Sequence, residues 1–225
     1  MSAAQLVGLL GHPVSASLSP RMQNAAFAAS GLDWSYVAID VGPDEFAAVA
    51  RALPVSGYAG ANVTAPHKLA AAELAEAEVP SVNTLVFAEG RIQGFSTDAA
   101  VLEGLAAERP VVLGDGGASA AFQAALPGVR VYARRGEWPP DVSGADLVVN
   151  ATSARDDVLV ELGPGQTLVD LPYPETATAK AARASGATVV GGLEVLVAQG
   201  AASFELWTGI AAPVEVMRRA VGLAA

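Results

Sequence analysis

The feature that most constrains the fold is a repeated alternation of two kinds of segment along the chain. Short apolar runs rich in β-branched residues are separated by alanine-rich stretches with helical spacing. Strands that alternate with helices in this way favour parallel sheets with helical crossovers, so the sequence predicts an α/β protein. The predicted strands are residues 6–10, 36–41, 58–63, 82–87, 111–113, 129–132, 147–149, 168–171 and 188–190.

The segments between these runs carry helix and turn signals. Glu89 and Gly90 separate two strand-like runs and predict a hairpin turn. Ser19 followed by Pro20 is typical of a helix N-cap and first turn, and Asp98 is expected to cap the helix that follows it. The predicted helices are residues 20–29, 45–52, 66–77, 99–105 and 177–185, with a final stretch, 193–221, broken near Pro213.

Composition excludes several classes of site and location. The 225 residues include no cysteine and only two histidines, which excludes disulfide scaffolds and Cys-ligated zinc, and we expect no metal. The net charge of −10 makes a nucleic-acid partner unexpected. Because no apolar stretch reaches about 18 residues and no signal peptide is recognisable, we expect a cytoplasmic protein without a membrane partner.

Lysine is scarce, since the chain has only Lys68 and Lys180 among its 13 basic residues. Lys68 ends the segment Asn-Val-Thr-Ala-Pro-His-Lys, in which a predicted strand runs into a helix started by Pro66. In the first turn of that helix the positive end of the helix dipole disfavours an ammonium ion. A lysine there suits proton transfer near neutral pH, and a solvated surface lysine is the alternative.

Two further segments suggest ligand binding. Three serines at alternate positions, Ser15, Ser17 and Ser19, precede a helix and favour an anionic or polyhydroxylated ligand weakly. Residues 110–120 combine a strand, a glycine turn and a helix, as a dinucleotide fingerprint requires. Two arginines follow the next strand, where arginine accommodates a 2′-phosphate, and this favours NADP over NAD. Asp115 places a carboxylate inside the turn, so an ordinary βα turn is the alternative.

Taken in order, these segments resemble the shikimate dehydrogenase family over residues 11–209. Several motifs in the right order are more specific than any one of them. The resemblance rests on Ser-x-Ser-x-Ser-Pro (15–20), Asn-Val-Thr-x-Pro-His-Lys (62–68), Val-Asn-Thr (82–84), Thr-Asp (97–98), Gly-x-Gly-Gly-Ala (114–118), Asn-Ala-Thr-Ser (150–153), Asp-x-x-Tyr-Pro-x-Thr (170–176) and Leu-Val-Ala-Gln (196–199).

The resemblance implies an NADP-dependent oxidoreductase acting on a CH–OH group, which interconverts 3-dehydroshikimate and shikimate in chorismate and aromatic amino-acid biosynthesis. It implies an α/β substrate domain formed by residues 1–98 and 193–225. A compact Rossmann-like NADP-binding domain, residues 99–192, would complete the chain, with the active site in the cleft between the domains. The expected partner is a small-molecule substrate, and the expected state is a monomer or homodimer.

The resemblance also implies roles for individual residues. Lys68 and Asp98 match the catalytic pair of the family. The implied substrate-binding residues are Ser17, Ser19, Thr64, Asn83, Tyr173 and Gln199. The implied NADP(H)-binding residues are Gly114, Gly116, Gly117, Ala118, Arg134, Arg135, Thr152, Leu171 and Gly192.

Several positions differ from the family pattern. Asp115 replaces a small apolar residue, and the stretches after Lys68, Gly117 and Ser153 are shorter than the family's. Three interpretations stay open. The chain is an active shikimate dehydrogenase, a relative acting on quinate or an aminated shikimate analogue, or a non-catalytic protein that binds shikimate and has lost cofactor binding.

Overall fold

The chain divides into two compact units in a computed structural model that describes residues 4–105 and 107–224. Unit 1 consists of Met1–Thr97 and Val197–Ala225, and unit 2 consists of Asp98–Leu196. Each unit is built on one five-stranded sheet. None of the helices in the described ranges is long and apolar enough to cross a membrane.

Unit 1 has a mixed sheet with the strand order β2-β1-β3-β4-β5. The first three strands are parallel, whereas β4 and β5 form an antiparallel hairpin. Its elements are β1 (Gln5–Gly11), α1 (Ser19–Ala29), β2 (Trp34–Asp40), α2 (Phe46–Ala52), a 3₁₀ turn (Pro54–Ser56), β3 (Tyr58–Val63), α3 (Lys68–Leu74), β4 (Thr84–Ala88), β5 (Arg91–Phe95), most of α6 (Gly192–Thr208) and α7 (Val214–Ala220).

Apolar side chains hold the helices of unit 1 on its sheet. Phe46 of α2 and Ala71 of α3 join Leu10 and Val63 of the strands in one buried cluster. Phe27 of α1 is fully buried, and its ring stacks on Phe204 of α6 with centroids 5.5 Å apart. These contacts remove apolar surface from water, which is the main favourable term in folding.

Unit 2 has an all-parallel sheet with the strand order β10-β9-β8-β6-β7. Strands buried on both faces read as continuous apolar runs, and β6 and β8 are fully buried along their length. Its elements are a 3₁₀ turn (Asp98–Leu102), β6 (Pro110–Leu113), α4 (Gly117–Ala125), β7 (Arg130–Tyr132), β8 (Leu147–Asn150), β9 (Thr167–Asp170), α5 (Ala177–Ala184), β10 (Thr188–Val190) and the first turn of α6.

Two of the connections in unit 2 contain no helix. Residues 133–146 and 151–166, all of them described, form turns and extended segments between successive strands. Their apolar side chains cover the sheet in place of helices, because Val142, Val160 and Leu162 belong to a buried cluster with the strand residues Val111 and Val148.

The predicted strands and the predicted hairpin are confirmed. Each predicted strand overlaps an observed one, and β3 has the predicted bounds. Glu89 and Gly90 have φ values of 52° and 74°, the left-handed conformation that a tight hairpin turn requires. The final helical stretch breaks before Pro213, as predicted.

Three local predictions are wrong. Ser19 does not cap α1, because the helix begins at Ser19 itself. The backbone N–H of Ser19 donates to Ser17 Oγ at 3.2 Å. Helix α3 spans Lys68–Leu74 rather than 66–77. It ends early because the Glu76 N–H bonds the Ile92 oxygen of the edge strand β5 at 2.8 Å. Residues 99–105 contain no α-helix. Asp98 is the first residue of a 3₁₀ turn and therefore caps no α-helix. Gly104 has a φ of 80°, so the helical conformation does not continue through it.

Two aspartates of unit 2 have pKa values shifted in opposite directions. Burial raises the pKa of Asp170, although Asn150 Nδ2 and Thr176 Oγ1 donate to its carboxylate at 2.7 and 2.8 Å. The pKa of Asp146 is lowered, because the backbone N–H groups of Glu108 and Arg109 outweigh its burial. Ionisation of the carboxylate therefore opposes folding at Asp170 and favours it at Asp146.

We expect Asp170→Asn and Asp146→Asn to change the pH dependence of stability with opposite signs. The wild type loses stability at Asp170 as pH rises from 3.8 through the raised folded-state pKa, and Asp170→Asn lacks this loss. The unfolding free energy of Asp170→Asn should therefore improve relative to wild type as pH rises from about 3 to 7. The unfolding free energy of Asp146→Asn should fall relative to wild type over the same pH range. Urea unfolding at several pH values measures both, and equal slopes for the two variants contradict the assignment.

Candidate functional site

In unit 1, the loop between β1 and α1 carries the two predicted carboxylate-binding serines. Ser17 Oγ accepts a hydrogen bond from the Ser19 N–H at 3.2 Å, so the Ser17 hydroxyl keeps its own proton for another acceptor. The Ser17 N–H donates to the Val14 oxygen at 3.0 Å, which closes the loop into a turn. The structure thus brings Ser17 and Ser19 together at the N-terminus of α1, where backbone N–H groups favour an anion.

Asp40, at the end of β2, anchors this serine loop. Its Oδ2 accepts from the Val14 N–H at 3.0 Å, and its Oδ1 lies 2.6 Å from His12 Nδ1. The hydrogen bond with the His12 side chain, followed by that with Val14, lowers the pKa of Asp40. The carboxylate therefore stays ionised near neutral pH and holds both ends of the first half of the loop.

Lys68 is the first residue of α3, and Thr64 follows the end of β3 in the short segment that leads to it. The Thr64 N–H donates to the Leu10 oxygen at 2.8 Å, which fixes this strand end beside β1. His67 is buried, stacks on Phe46 and places Nε2 2.7 Å from the Val41 oxygen. The histidine of this pair is thus a packing residue, whereas Lys68 is half-buried.

Asn83 lies at the centre of a buried polar network between β3, β4 and α6. Its Nδ2 donates to Thr97 Oγ1 at 2.8 Å and to Gln199 Oε1 at 3.3 Å, and its Oδ1 accepts from the Thr97 N–H at 2.7 Å. Asn62 Nδ2 donates to Ser203 Oγ of α6 at 2.9 Å. These bonds bring the predicted residues Asn83 and Gln199 together and fix the chain immediately before Asp98.

Two of the predicted reactive or substrate residues belong to unit 2. Asp98 is buried and begins the 3₁₀ turn after Thr97, whereas Lys68 belongs to unit 1. Tyr173 is half-buried and lies in the loop between β9 and α5, apart in sequence from the other predicted substrate residues.

The glycine turn of unit 2 follows β6. Gly114 has a φ of 117°, and a Cβ on it would lie 3.1 Å from the Ala151 oxygen, so both conformation and space require glycine. Ser119 Oγ donates to the Gly114 oxygen at 2.7 Å and holds the turn against α4. Gly117 and Ala118 form the first turn of α4, whose free N–H groups suit a phosphate.

A cavity of about 810 Å³ opens beside this turn. Arg134 and Arg135, which follow β7, are exposed and line it. The guanidinium of Arg134 lies 5.8 Å from the centre of the Trp138 ring, and its Nη2 lies 3.8 Å from Asp157 Oδ2. The cavity brings together the predicted cofactor residues Gly114, Gly116, Arg134, Arg135 and Thr152.

The predicted cofactor residues outside this cavity lining are Gly117, Ala118, Leu171 and Gly192, whereas Thr152 is part of it. Thr152 Oγ1 donates at 2.7 Å to Asn150 Oδ1, and Asn150 in turn bonds the buried carboxylate of Asp170. A Cβ on Gly192 would meet the carbonyl oxygens of Leu171 and Pro172. Gly192 and Leu171 are therefore in direct backbone contact, which only glycine permits.

Four residues that shape these sites were not predicted from the sequence: Asp40, Thr97, Trp138 and Asp157. Thr97 stands in a quoted motif, but nothing in its type indicated that it bonds Asn83. Asp40 is separated from His12 by 28 positions, and Asp157 meets Arg134 only through folding. The one available signal was Trp138, a large aromatic residue shortly after the two arginines.

Comparison with known proteins places this arrangement in a family. Residues 9–85 match the model described as the shikimate dehydrogenase substrate binding domain, and residues 192–221 match the shikimate 5′-dehydrogenase C-terminal domain. The shikimate dehydrogenase (NADP(+)) of Moorella thermoacetica is 39% identical over 270 aligned positions, which cover 95% of this chain and 91% of the relative. The aligned length exceeds the 225 residues here, so the relative has segments that this chain lacks.

Two solved structures have the same fold. Shikimate dehydrogenase from Aquifex aeolicus is 30% identical with a TM-score of 0.87, and the match covers 99% of this chain and 100% of that one. Shikimate 5-dehydrogenase from Thermus thermophilus, solved in complex with NADP(H) and shikimate, is 31% identical with a TM-score of 0.83, covering 96% of this chain and 98% of that one. By sequence and by fold, the chain belongs to the shikimate dehydrogenase family.

Proposed function

We propose that the chain is an NADP-dependent shikimate dehydrogenase that reversibly reduces 3-dehydroshikimate to shikimate. Unit 1 is the substrate domain and unit 2 is the NADP-binding domain. The observation that carries the proposal is that each unit of this family member presents polar groups suited to one of the two ligands. A serine pair, a lysine at a helix start and an asparagine network lie in unit 1, and an arginine-lined glycine turn lies in unit 2.

Ser17 and Ser19 bind the carboxylate of the substrate. The Ser17 oxygen accepts from the Ser19 N–H, so the Ser17 hydroxyl proton can be donated to the carboxylate. An anionic acceptor strengthens such hydrogen bonds, and the N-terminus of α1 adds a favourable dipole. Asp40 keeps the loop in the required shape through Val14.

Thr64, Asn83, Asp98, Tyr173 and Gln199 contact the ring hydroxyls. The Asn83–Gln199 contact, at 3.3 Å, is long for a hydrogen bond. A ring hydroxyl matches this pair, because it accepts from Asn83 Nδ2 and donates to Gln199 Oε1. Binding therefore replaces one long hydrogen bond with two, which favours a hydroxyl over a hydrogen at that ring position.

Lys68 and Asp98 act on the reacting group. When bound, NADPH supplies a hydride to the carbonyl carbon. The carbonyl oxygen gains negative charge as this happens, and the ammonium of Lys68 donates a proton to it, giving the hydroxyl of shikimate. Asp98 accepts a hydrogen bond from a neighbouring hydroxyl and orients the ring.

The residues of unit 2 fit the cofactor. Gly114, Gly116, Gly117 and Ala118 leave room at the N-terminus of α4 for the pyrophosphate. Arg134 and Arg135 line the adjacent cavity and supply the planar donors that a 2′-phosphate needs. Thr152 lines the same cavity, and Leu171 and Gly192 adjoin the nicotinamide. Asp115 is exposed in the turn and opposes the phosphates, so it weakens the fit without filling the space.

The direct experiment is an assay of absorbance at the NADPH band. We expect oxidation of NADPH with 3-dehydroshikimate and reduction of NADP⁺ with shikimate. Quinate and aminated shikimate analogues, each with both nicotinamide cofactors, test the alternative substrates. Calorimetry that detects shikimate binding but no NADP(H) binding would support the non-catalytic alternative instead. Location in the cytoplasm and a monomeric or homodimeric state stay predictions.

We expect Lys68→Ala to lower kcat by about 10²- to 10⁴-fold, because it removes the proton donor. The dissociation constant for shikimate should rise by about tenfold or less, since one of several hydrogen bonds is lost. Steady-state kinetics and calorimetry measure the two effects. Lys180→Ala is the matched control, because Lys180 is the only other lysine and is exposed on α5. Equal loss of activity in both variants contradicts the role of Lys68.

Arg134→Ala should raise the KM for NADPH by about tenfold or more and leave the KM for NADH nearly unchanged. The physical reason is loss of a charge-assisted hydrogen bond to the 2′-phosphate, which NADH lacks. Arg183→Ala serves as the control, because Arg183 is an exposed arginine of α5 that pairs with Glu175. If both KM values rise equally, Arg134 does not bind the 2′-phosphate.

A further inference from the structure

The cavity beside the glycine turn carries balanced charge. Its lining includes the arginines Arg134, Arg135 and Arg155 and the aspartates Asp115, Asp156 and Asp157. A phosphate monoester brings about two negative charges near neutral pH, and it binds most favourably where cations are in excess. Here each arginine is matched by a carboxylate in the same cavity, so the attraction for a 2′-phosphate is reduced.

Asp157 is the carboxylate that contacts the principal phosphate ligand. Its Oδ2 lies 3.8 Å from Arg134 Nη2, and both side chains are mostly exposed, at 74% and 66%. The centre of the Trp138 ring lies 5.8 Å from the same guanidinium. A 2′-phosphate that takes the guanidinium must therefore compete with Asp157 and then remain close to its negative charge.

A 2′-hydroxyl meets the opposite situation. A hydroxyl donates a hydrogen bond to a carboxylate, which is how acidic residues favour NAD in many dinucleotide-binding domains. Those acidic residues follow the second strand of the fold, whereas Asp157 reaches the cavity from the connection between β8 and β9. Asp157 thus lies at a different place in the fold, but its carboxylate can accept the same hydrogen bond from a 2′-hydroxyl.

We propose that Asp157 is a specificity-determining residue that narrows the preference of this chain for NADP over NAD. By pairing with Arg134 it weakens binding of the 2′-phosphate, and by its acceptor oxygens it tolerates the 2′-hydroxyl. The inference rests on the proposed function, because it assigns Arg134 to the 2′ position of a bound adenosine nucleotide.

The test compares adenosine 2′,5′-bisphosphate with adenosine 5′-monophosphate by isothermal titration calorimetry. The two probes differ only at the 2′ position. In Asp157→Asn we expect the ratio of their dissociation constants to shift about threefold to tenfold in favour of the bisphosphate. The substitution is nearly isosteric and keeps the Asp157 backbone oxygen, which accepts from Thr178 Oγ1 at 3.2 Å, so the fold is retained.

Asp156→Asn is the matched control. Asp156 lines the same cavity with the same charge, but within the described part of the chain it makes no ion pair with Arg134. In Asp156→Asn the ratio of the dissociation constants of the two probes should change by less than about twofold. In an Arg134→Ala background, Asp157→Asn should also lose its effect, since the coupled partner is gone. An unchanged ratio in Asp157→Asn, or an equal shift in Asp156→Asn, overturns the inference.

Failure of the proposed function gives a different result. Wild-type protein that binds neither adenosine probe and does not oxidise NADPH removes the basis of both proposals. Wild-type protein that binds both probes and turns over, while the ratio stays fixed in Asp157→Asn, overturns the role of Asp157 alone.

Discussion

Parallel pairing of strands is the interaction on which both units depend. Because parallel strands end at the same edge of a sheet, the chain leaves β1 and β3 side by side, and the His12 N–H bonds the Ala65 oxygen at 3.1 Å. A side chain on Gly11 would collide with Thr64 and Val14, so this close approach requires glycine. The edge of the unit 2 sheet repeats the arrangement, with the Gly114 N–H 2.8 Å from the Tyr132 oxygen.

The two edges use their polar groups differently. In unit 1 Asn83 and Thr97 are buried and joined by two short hydrogen bonds, which orient the Asn83 amide. In unit 2 the charged groups around Arg134 are exposed and separated by longer distances. Recognition of a hydroxylated ring suits the first arrangement, and recognition of a nucleotide by charge suits the second.

The strands, the hairpin and the glycine turn between β6 and α4 could be predicted from sequence because they depend on local patterns. Apolar β-branched runs mark β3 and β6, and Glu89-Gly90 marks the turn. The end of α3 could not be predicted, because Ala-rich sequence favours a longer helix. The competing hydrogen bond joins the Glu76 N–H to Ile92, which lies in a later strand. The pairs Asp40–His12 and Asp157–Arg134 depend likewise on folding and have no local signature.

The helix-free connections of unit 2 join two roles in one segment. Trp138 and Leu159 pack against the buried cluster of the sheet and also line the charged cavity. In a domain whose sheet is covered by separate helices, nucleotide preference and core packing are free to evolve independently. Here a substitution of Trp138 or Leu159 acts on the core and on the cavity at once, so nucleotide preference and thermal stability are coupled at these two positions.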